Sequence, residues 1–220
     1  MASGGSVIGI KYNGGVLLAA DTLLSYGSLA KWPNIPRIKI LGKYSAVCAT
    51  GDYADFQTIT QDVESTIVRQ QMYSNVDELS PKEVFSYLHR NVYKKRCDFE
   101  PCLCQFVFIG SWKGETFLGG IDDVGTRWTD ACVATGYGAH IALPLLRQAL
   151  EENPNGLSRE AAIHVVKQCL MVLFYRECRA INKFQIADAT NDSVTIGEPF
   201  EVETNWELEG FSFEKTAIIR

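Results

Sequence analysis

Val7-Ile8-Gly9-Ile10-Lys11-Tyr12-Asn13-Gly14-Gly15-Val16-Leu17-Leu18-Ala19-Ala20-Asp21 contains two apolar segments separated by an Asn-Gly dipeptide. Such a dipeptide between apolar segments is typical of a tight hairpin, because its backbone accepts the positive φ angles that the turn requires. We therefore predict two paired strands, at residues 7–12 and 16–21. A second strand pair is expected at residues 37–41 and 45–49, on either side of Gly42-Lys43.

The spacing of apolar residues then changes to that of helices. One apolar side chain in every three or four residues predicts a helix, and this stripe consists of Tyr53, Phe56, Ile59, Val63 and Ile67. A second helix is expected to begin after Ser80, because Ser80-Pro81-Lys82-Glu83 combines a capping serine, a proline at the first helical position and a glutamate three residues after the cap.

The rest of the chain repeats this order. Strands are predicted between residues 105 and 133, helices over roughly 139–152 and 158–180, and strands at 184–189 and 193–196. Pro144 requires the third helix to begin close to it. This order predicts an α+β domain over residues 1–198, with two antiparallel sheets stacked between helices, and a tail over residues 199–220.

Composition excludes several classes of function. The formal net charge is −5 and no basic block follows the chain, which argues against nucleic acid as a partner. No apolar run approaches the roughly 20 residues of a membrane span, and the N-terminus lacks a signal-peptide pattern. The 7 cysteines are an odd number, several of them in apolar segments, which favours reduced thiols and an intracellular protein. No cofactor motif is present.

Several segments together resemble the proteasome beta subunits, a branch of the N-terminal-nucleophile hydrolases. They lie in the expected order over nearly the whole chain: Gly14 to Asp21, Ser25-Tyr26-Gly27-Ser28-Leu29-Ala30, Gly51-Asp52-Tyr53-Ala54-Asp55-Phe56-Gln57, Ala134-Thr135-Gly136-Tyr137-Gly138 and Tyr175-Arg176. Further segments, including Phe184-Gln185-Ile186-Ala187 and Thr204-Asn205-Trp206, are similar to a non-catalytic member of that family.

The resemblance implies a four-layer α-β-β-α sandwich and a place in a particle of about 28 alpha and beta subunits in four stacked rings, with the closed symmetry usual in oligomers. It implies no cofactor and no bound metal. It also implies that the protein works in ubiquitin-dependent protein degradation in the cytoplasm and the nucleus.

Active members of the family use an N-terminal threonine whose own α-amino group handles the proton, together with a lysine and an aspartate. Aligning on Asp21 places Gly5 at the nucleophile position and Arg37 at the lysine position, while Thr135 and Glu177 match further positions of the site. Gly5 has no nucleophilic atom, and an always-charged guanidinium is a poor substitute for an ammonium with an adjustable pKa. We therefore expect an inactive site.

Ser6 offers an alternative, because Gly4-Gly5-Ser6 resembles the Gly-Thr bond at which active precursors cleave themselves. The protein would then be a self-processing amidohydrolase whose mature chain begins at Ser6. Against this, side chains alternate across a strand, so a one-residue offset is expected to turn Ser6 away from the face of the nucleophile.

Two further signals are ambiguous from sequence alone. Cys97, Cys102 and Cys104 lack the paired Cys-x-x-Cys spacing of zinc sites and have no histidine near them, so we expect loop or core thiols. The tail contains Trp206, Phe211 and Phe213, which is unusual for a solvated segment. It either folds back on its own domain or contacts a neighbouring subunit, and the resemblance implies that it crosses to the opposite beta ring.

Overall fold

The computed structural model describes residues 1–73 and 78–207 of the chain. The strands are β1 (Ala2–Gly4), β2 (Val7–Tyr12), β3 (Gly15–Asp21), β4 (Leu24–Tyr26), β5 (Leu29–Trp32), β6 (Lys39–Leu41), β7 (Ser45–Asp52), β8 (Cys104–Trp112), β9 (Glu115–Ile121), β10 (Arg127–Thr129), β11 (Cys132–Thr135), β12 (Phe184–Thr190) and β13 (Ser193–Ile196). The helices are α1 (Tyr53–Tyr73), α2 (Pro81–Cys97), α3 (Gly138–Glu152) and α4 (Arg159–Arg176).

These strands form two antiparallel sheets. The larger sheet has eight strands in the order β10-β9-β8-β7-β1-β4-β5, with β6 also paired to β7. The smaller sheet has five strands in the order β11-β2-β3-β12-β13. The predicted hairpin of β2 and β3 lies near the centre of the smaller sheet, where Tyr12 pairs with Gly15 and Gly14 takes a φ of 90° at the turn.

The sheets stack face to face, with a helix layer on each outer face. Apolar side chains between the sheets come from both of them, among them Val16 and Leu18 of β3 and Val107 of β8. Helices α1 and α2 cover the larger sheet, and α3 and α4 cover the smaller one. The predicted α-β-β-α sandwich of two antiparallel sheets is confirmed.

The helix boundaries follow the local signals in the sequence. At α2, the Ser80 side chain accepts a hydrogen bond from the Glu83 backbone and the Glu83 carboxylate accepts one from the Ser80 backbone, which is the predicted capping box. Helix α3 begins at Gly138, so Pro144 lies inside it rather than in its first turn. None of the described helices is long and apolar enough to cross a lipid bilayer.

The sequence patterns did not predict three short strands. Strands β1, β4 and β5 have three or four residues each, too few to show an alternation of apolar and polar side chains. Strand β1 pairs with β4 and β7, which lie far away in sequence, whereas β4 and β5 form a hairpin across Gly27-Ser28. The predicted strand over residues 37–41 is also shorter than expected: β6 begins at Lys39, and Arg37 is buried in the site described next.

Candidate functional site

The chain crosses from one sheet to the other at Gly5 and Ser6. Strand β1 belongs to the larger sheet, where Ser3 pairs with Ser25 of β4 and with Asp52 of β7, and β2 belongs to the smaller sheet. Gly5 therefore lies between two paired strands, β1 and β2, which belong to different sheets.

Arg37 is the centre of the polar cluster around this crossing. Its guanidinium forms an ion pair with Asp21 at the end of β3 and donates hydrogen bonds to the carbonyl oxygens of Gly5 (2.6 Å) and Ala49 (2.9 Å). Arg37 is 2% exposed and Asp21 is 6% exposed. One side chain thus connects the crossing to both sheets, because Ala49 belongs to β7 of the larger sheet.

Burial raises the pKa of Asp21 to about 6, while the positive charge of Arg37 acts in the opposite direction. Asp21 Oδ2 and Arg37 Nε have no hydrogen-bond partner among the described residues. The guanidinium also lies directly over Gly4, since a Cβ atom at that position would be 2.6 Å from Arg37 Nε. The charged pair is therefore packed tightly against the backbone of β1.

Glu177 closes the other side of the crossing. Ser6 Oγ donates a hydrogen bond to Glu177 Oε2 (2.6 Å) and accepts one from the backbone N–H of Gly138, at the start of α3 (2.8 Å). A Cβ atom on Gly5 would be 3.0 Å from Glu177 Oε1. A side chain at the position of Gly5 would therefore require the Glu177 carboxylate to shift slightly.

Ser6 lies on the same side of the chain as Ile8, since a Cβ atom on Gly138 would be 3.3 Å from Ser6 Cβ and 3.4 Å from Ile8 Cγ2. Its side chain thus continues the alternation of β2, which begins at Val7. A Cβ atom at Gly5 and the hydroxyl of Ser6 approach different oxygens of the Glu177 carboxylate, Oε1 and Oε2. The separation of Gly5 and Ser6 onto opposite faces therefore stays a prediction, and the burial of Ser6, which is 7% exposed, is a further objection to its use as a nucleophile.

Thr135 joins the cluster through a residue that sequence reasoning missed. Thr50 Oγ1 donates to the carbonyl oxygen of Gly5 (3.0 Å) and lies 2.6 Å from Thr135 Oγ1. Since the single hydroxyl proton of Thr50 is used on Gly5, Thr135 is the donor to Thr50. No motif marks Thr50 in the sequence, and only the pairing of β7 with its neighbours brings it to Gly5.

The structure thus brings all five predicted residues, Gly5, Asp21, Arg37, Thr135 and Glu177, to one place. A cleft of about 680 Å³ opens beside them, lined in part by Met1, Thr50, Tyr137 and Cys178. The cluster has charged and hydroxyl groups but no nucleophilic atom on Gly5. Both donors that reach the Gly5 carbonyl oxygen hold the backbone in place.

The predicted tail begins in contact with its own domain. The backbones of Phe200 and Phe184 exchange two hydrogen bonds, and the Trp206 ring packs edge-on against Tyr175 of α4, with ring centroids 4.8 Å apart. Trp206 remains 50% exposed. Phe211 and Phe213, the other predicted contact residues, lie outside the described residues.

Comparison with known proteins agrees with this architecture. The family model for the proteasome subunit matches residues 1–189. Proteasome subunit beta type-4 of Xenopus laevis is 40% identical over 94% of this chain and 86% of its own length. The Dictyostelium discoideum protein of the same name is 42% identical over 93% and 78%, and that of Drosophila melanogaster is 33% identical over 93% and 76%. The chain therefore belongs to the proteasome subunit family, and these relatives are beta subunits.

Proposed function

We propose that this chain is a non-catalytic structural beta subunit of the 20S proteasome core particle. The observation that carries the proposal is the crossing at Gly5, which lacks a side chain and whose carbonyl is bound by Arg37 and Thr50. The role of the chain is then to build the beta ring and support its assembly, while other subunits cleave the protein substrates.

The replacement of the family's lysine by Arg37 supports the same conclusion. A catalytic lysine works near its neutral form, whereas a guanidinium stays protonated at every physiological pH. The negative charge of Asp21 further raises the pKa of Arg37, although burial opposes this. Arg37 therefore acts as a fixed cation that holds backbone carbonyls and cannot accept a proton.

The second candidate function is a self-processing amidohydrolase that uses Ser6. One observation favours it, namely the short hydrogen bond from Ser6 Oγ to the Glu177 carboxylate, which resembles a nucleophile beside a base. Against it, Ser6 is buried and its oxygen already accepts the Gly138 N–H. Cleavage after Gly5 would also cut β1 from the rest of the chain, although β1 pairs with β4 and β7 of the larger sheet.

The test is a labelling experiment on intact particles that contain this chain. The particles are treated with a peptide electrophile that forms a covalent adduct with N-terminal nucleophiles, and each subunit is then weighed by mass spectrometry. We expect adducts on catalytic subunits, which serve as the internal control, and none on this chain. An adduct on a chain that begins at Ser6, lost in Ser6→Ala, would establish the amidohydrolase instead.

We further propose that the particle has about 28 subunits in four rings, in line with closed oligomer symmetry, and that the tail reaches the opposite beta ring. The half-exposed Trp206 supports this, since it anchors the segment on α4 and leaves ring surface for a partner. Deleting residues 207–220 should impair the joining of two half-particles and leave the domain folded, as measured by native mass and circular dichroism. Normal assembly of the truncated chain would contradict the proposal.

We propose that the protein acts in the cytoplasm and the nucleus. The support is chemical: all seven cysteines are free thiols, and five of them are buried in the domain. Reduced thiols are the normal state in those compartments. Fluorescence microscopy of the tagged chain, with a co-purifying subunit as the second label, tests this proposal, and accumulation in a secretory compartment would contradict it.

A further inference from the structure

Two thiols and a carboxylate meet at the junction of α1 and β8, away from the site at Gly5. The Sγ atoms of Cys102 and Cys104 and a carboxylate oxygen of Asp55 all lie within 4.8 Å of one another. Cys104 is the first residue of β8, and Asp55 lies in the first turn of α1. No motif in the sequence connects Asp55 with the two cysteines, and the packing of α1 against the larger sheet brings them together.

The backbone holds this cluster in a defined geometry. The N–H of Leu103, the residue between the two cysteines, donates to Asp55 Oδ2 at 2.9 Å and so orients the carboxylate toward the thiols. Cys104 Sγ lies 2.8 Å from the backbone oxygen of Asp52. Gly51 permits this approach, because a Cβ atom there would be 2.2 Å from the Leu103 oxygen. Backbone contacts therefore position the Asp55 carboxylate and the Cys104 thiol.

The surroundings are not those of two isolated hydrophobic thiols. Cys102 and Cys104 are each 1% exposed, yet they contact a half-buried carboxylate and a carbonyl oxygen. The two sulfur atoms and the carboxylate oxygen thus share a small volume beside the Asp52 carbonyl oxygen.

We propose that Cys102, Cys104 and Asp55 form a binding site for one thiophilic divalent cation, with Zn²⁺ as the ion of choice. Zn²⁺ binds cysteine sulfur and carboxylate oxygen in a tetrahedral arrangement, whereas Mg²⁺ and Ca²⁺ require oxygen ligands. Three ligands come from the cluster, and the fourth position is open to water or to the Asp52 carbonyl oxygen. The half-buried Asp55 provides the approach from solvent.

The binding reaction balances as an exchange of protons for metal. Each thiol loses one proton as its sulfur bonds to Zn²⁺, so the two cysteines release two protons, and Asp55 binds through a carboxylate oxygen. The bound site then carries one excess negative charge, from two thiolates and one carboxylate against a divalent ion. The N-terminus of α1, which begins at Tyr53, offsets part of that charge.

The test is zinc binding by the full-length chain, prepared with a reductant and then dialysed against Zn²⁺. Native mass spectrometry should show one zinc per chain, with a mass increase of one zinc atom less two protons. The double variant Cys102→Ser/Cys104→Ser should lose this zinc. Asp55→Asn should raise the Kd by at least the roughly tenfold to hundredfold that losing even an outer-shell partner costs.

The matched control removes the two exposed cysteines instead. Cys97→Ser/Cys178→Ser should bind zinc like the wild type, because both thiols are exposed and lie outside the cluster. If the double cysteine variant in the core does not fold, Asp55→Asn decides by itself: Zn²⁺ should raise the melting temperature of the wild type and of the control more than that of Asp55→Asn.

Three results would overturn the proposal. They are a wild-type chain that takes up no zinc, a Cys102→Ser/Cys104→Ser variant that retains it, and zinc that is lost only in the Cys97→Ser/Cys178→Ser control.

Discussion

Replacing Arg37 by methionine tests the central feature of the site. The change keeps much of the side-chain volume but removes the ion pair with Asp21 and the hydrogen bonds to the carbonyl oxygens of Gly5 and Ala49. Removing one partner of a buried ion pair costs about 3–5 kcal/mol, because the other charge remains buried without compensation. Since a domain has only about 5–15 kcal/mol of stability, Arg37→Met should consume a large part of it.

The assay is urea unfolding of the full-length chain, followed by the fluorescence of its 4 tryptophans. Arg147→Met is the matched control, because Arg147 faces Asp130 at 4.0 Å with both side chains about half exposed. An exposed pair of this kind contributes about 0–1 kcal/mol, so the control should unfold close to the wild type. The slope of the free energy against urea should stay constant in both variants if only stability changes.

A second substitution separates the cost of the unpaired Asp21 carboxylate from the cost of the packing lost with Arg37. Adding Asp21→Asn to Arg37→Met removes the buried carboxylate and should recover about 1–3 kcal/mol, the penalty of a buried unsatisfied group. Arg37→Lys should give an intermediate loss, since one ammonium keeps the charge but cannot reach all the acceptors in the same geometry. Equal losses for Arg37→Met and Arg147→Met, or no recovery on adding Asp21→Asn, would refute this account of the site.

Two further predictions concern the backbone and the pH dependence of stability. Gly51→Ala should destabilise the domain by about 3 kcal/mol or more, because Gly51 has a φ of 106° and its new Cβ atom would meet the Leu103 oxygen. The control is Gly27→Ala, where φ is 60° and the surrounding space is open, and it should cost about 1–2 kcal/mol in the same urea assay. Equal losses in the two variants would contradict the steric argument. The pKa of Asp21 is raised to about 6 in the folded state, above its unfolded value of about 3.9, so its contribution to stability is complete below pH 3.9 and is lost as the pH rises through about 6. Relative to Asp21→Asn, the wild type should therefore lose up to about 3 kcal/mol in its free energy of unfolding between pH 4 and pH 7, at about 1.4 kcal/mol per pKa unit; a constant difference over that range would show that Asp21 does not titrate there.

Local sequence patterns predicted most of the secondary structure. The Asn13-Gly14 hairpin, the α1 stripe and the Ser80 capping box depend on neighbours within a few residues, so they can be read from the chain alone. The short strands β1, β4 and β5 could not, because they have too few residues to show an alternation, and β1 forms only by pairing with residues far away in sequence. The sequence also does not show that the chain changes sheets at Gly5 and Ser6.

The resemblance to the family also indicated the site residues, through alignment on Asp21. Gly5, Asp21, Arg37, Thr135 and Glu177 were all named, and the absence of a nucleophilic atom on Gly5 follows from its chemistry alone. Their contacts were not predictable. Thr50 connects Thr135 to the Gly5 carbonyl, and Glu177 contacts Ser6, across separations of many residues.

The sequence by itself determined the order of elements, the likeness to proteasome beta subunits and the lack of a side chain at Gly5, because these depend on residue type and on short-range spacing. Only the tertiary structure decided how Arg37 binds both sheets, where Ser6 points, and that Asp55 meets Cys102 and Cys104. The physical reason is common to all three: hydrogen bonds and metal ligands act over a few ångströms in space. The folding of distant segments, rather than spacing along the chain, sets those distances.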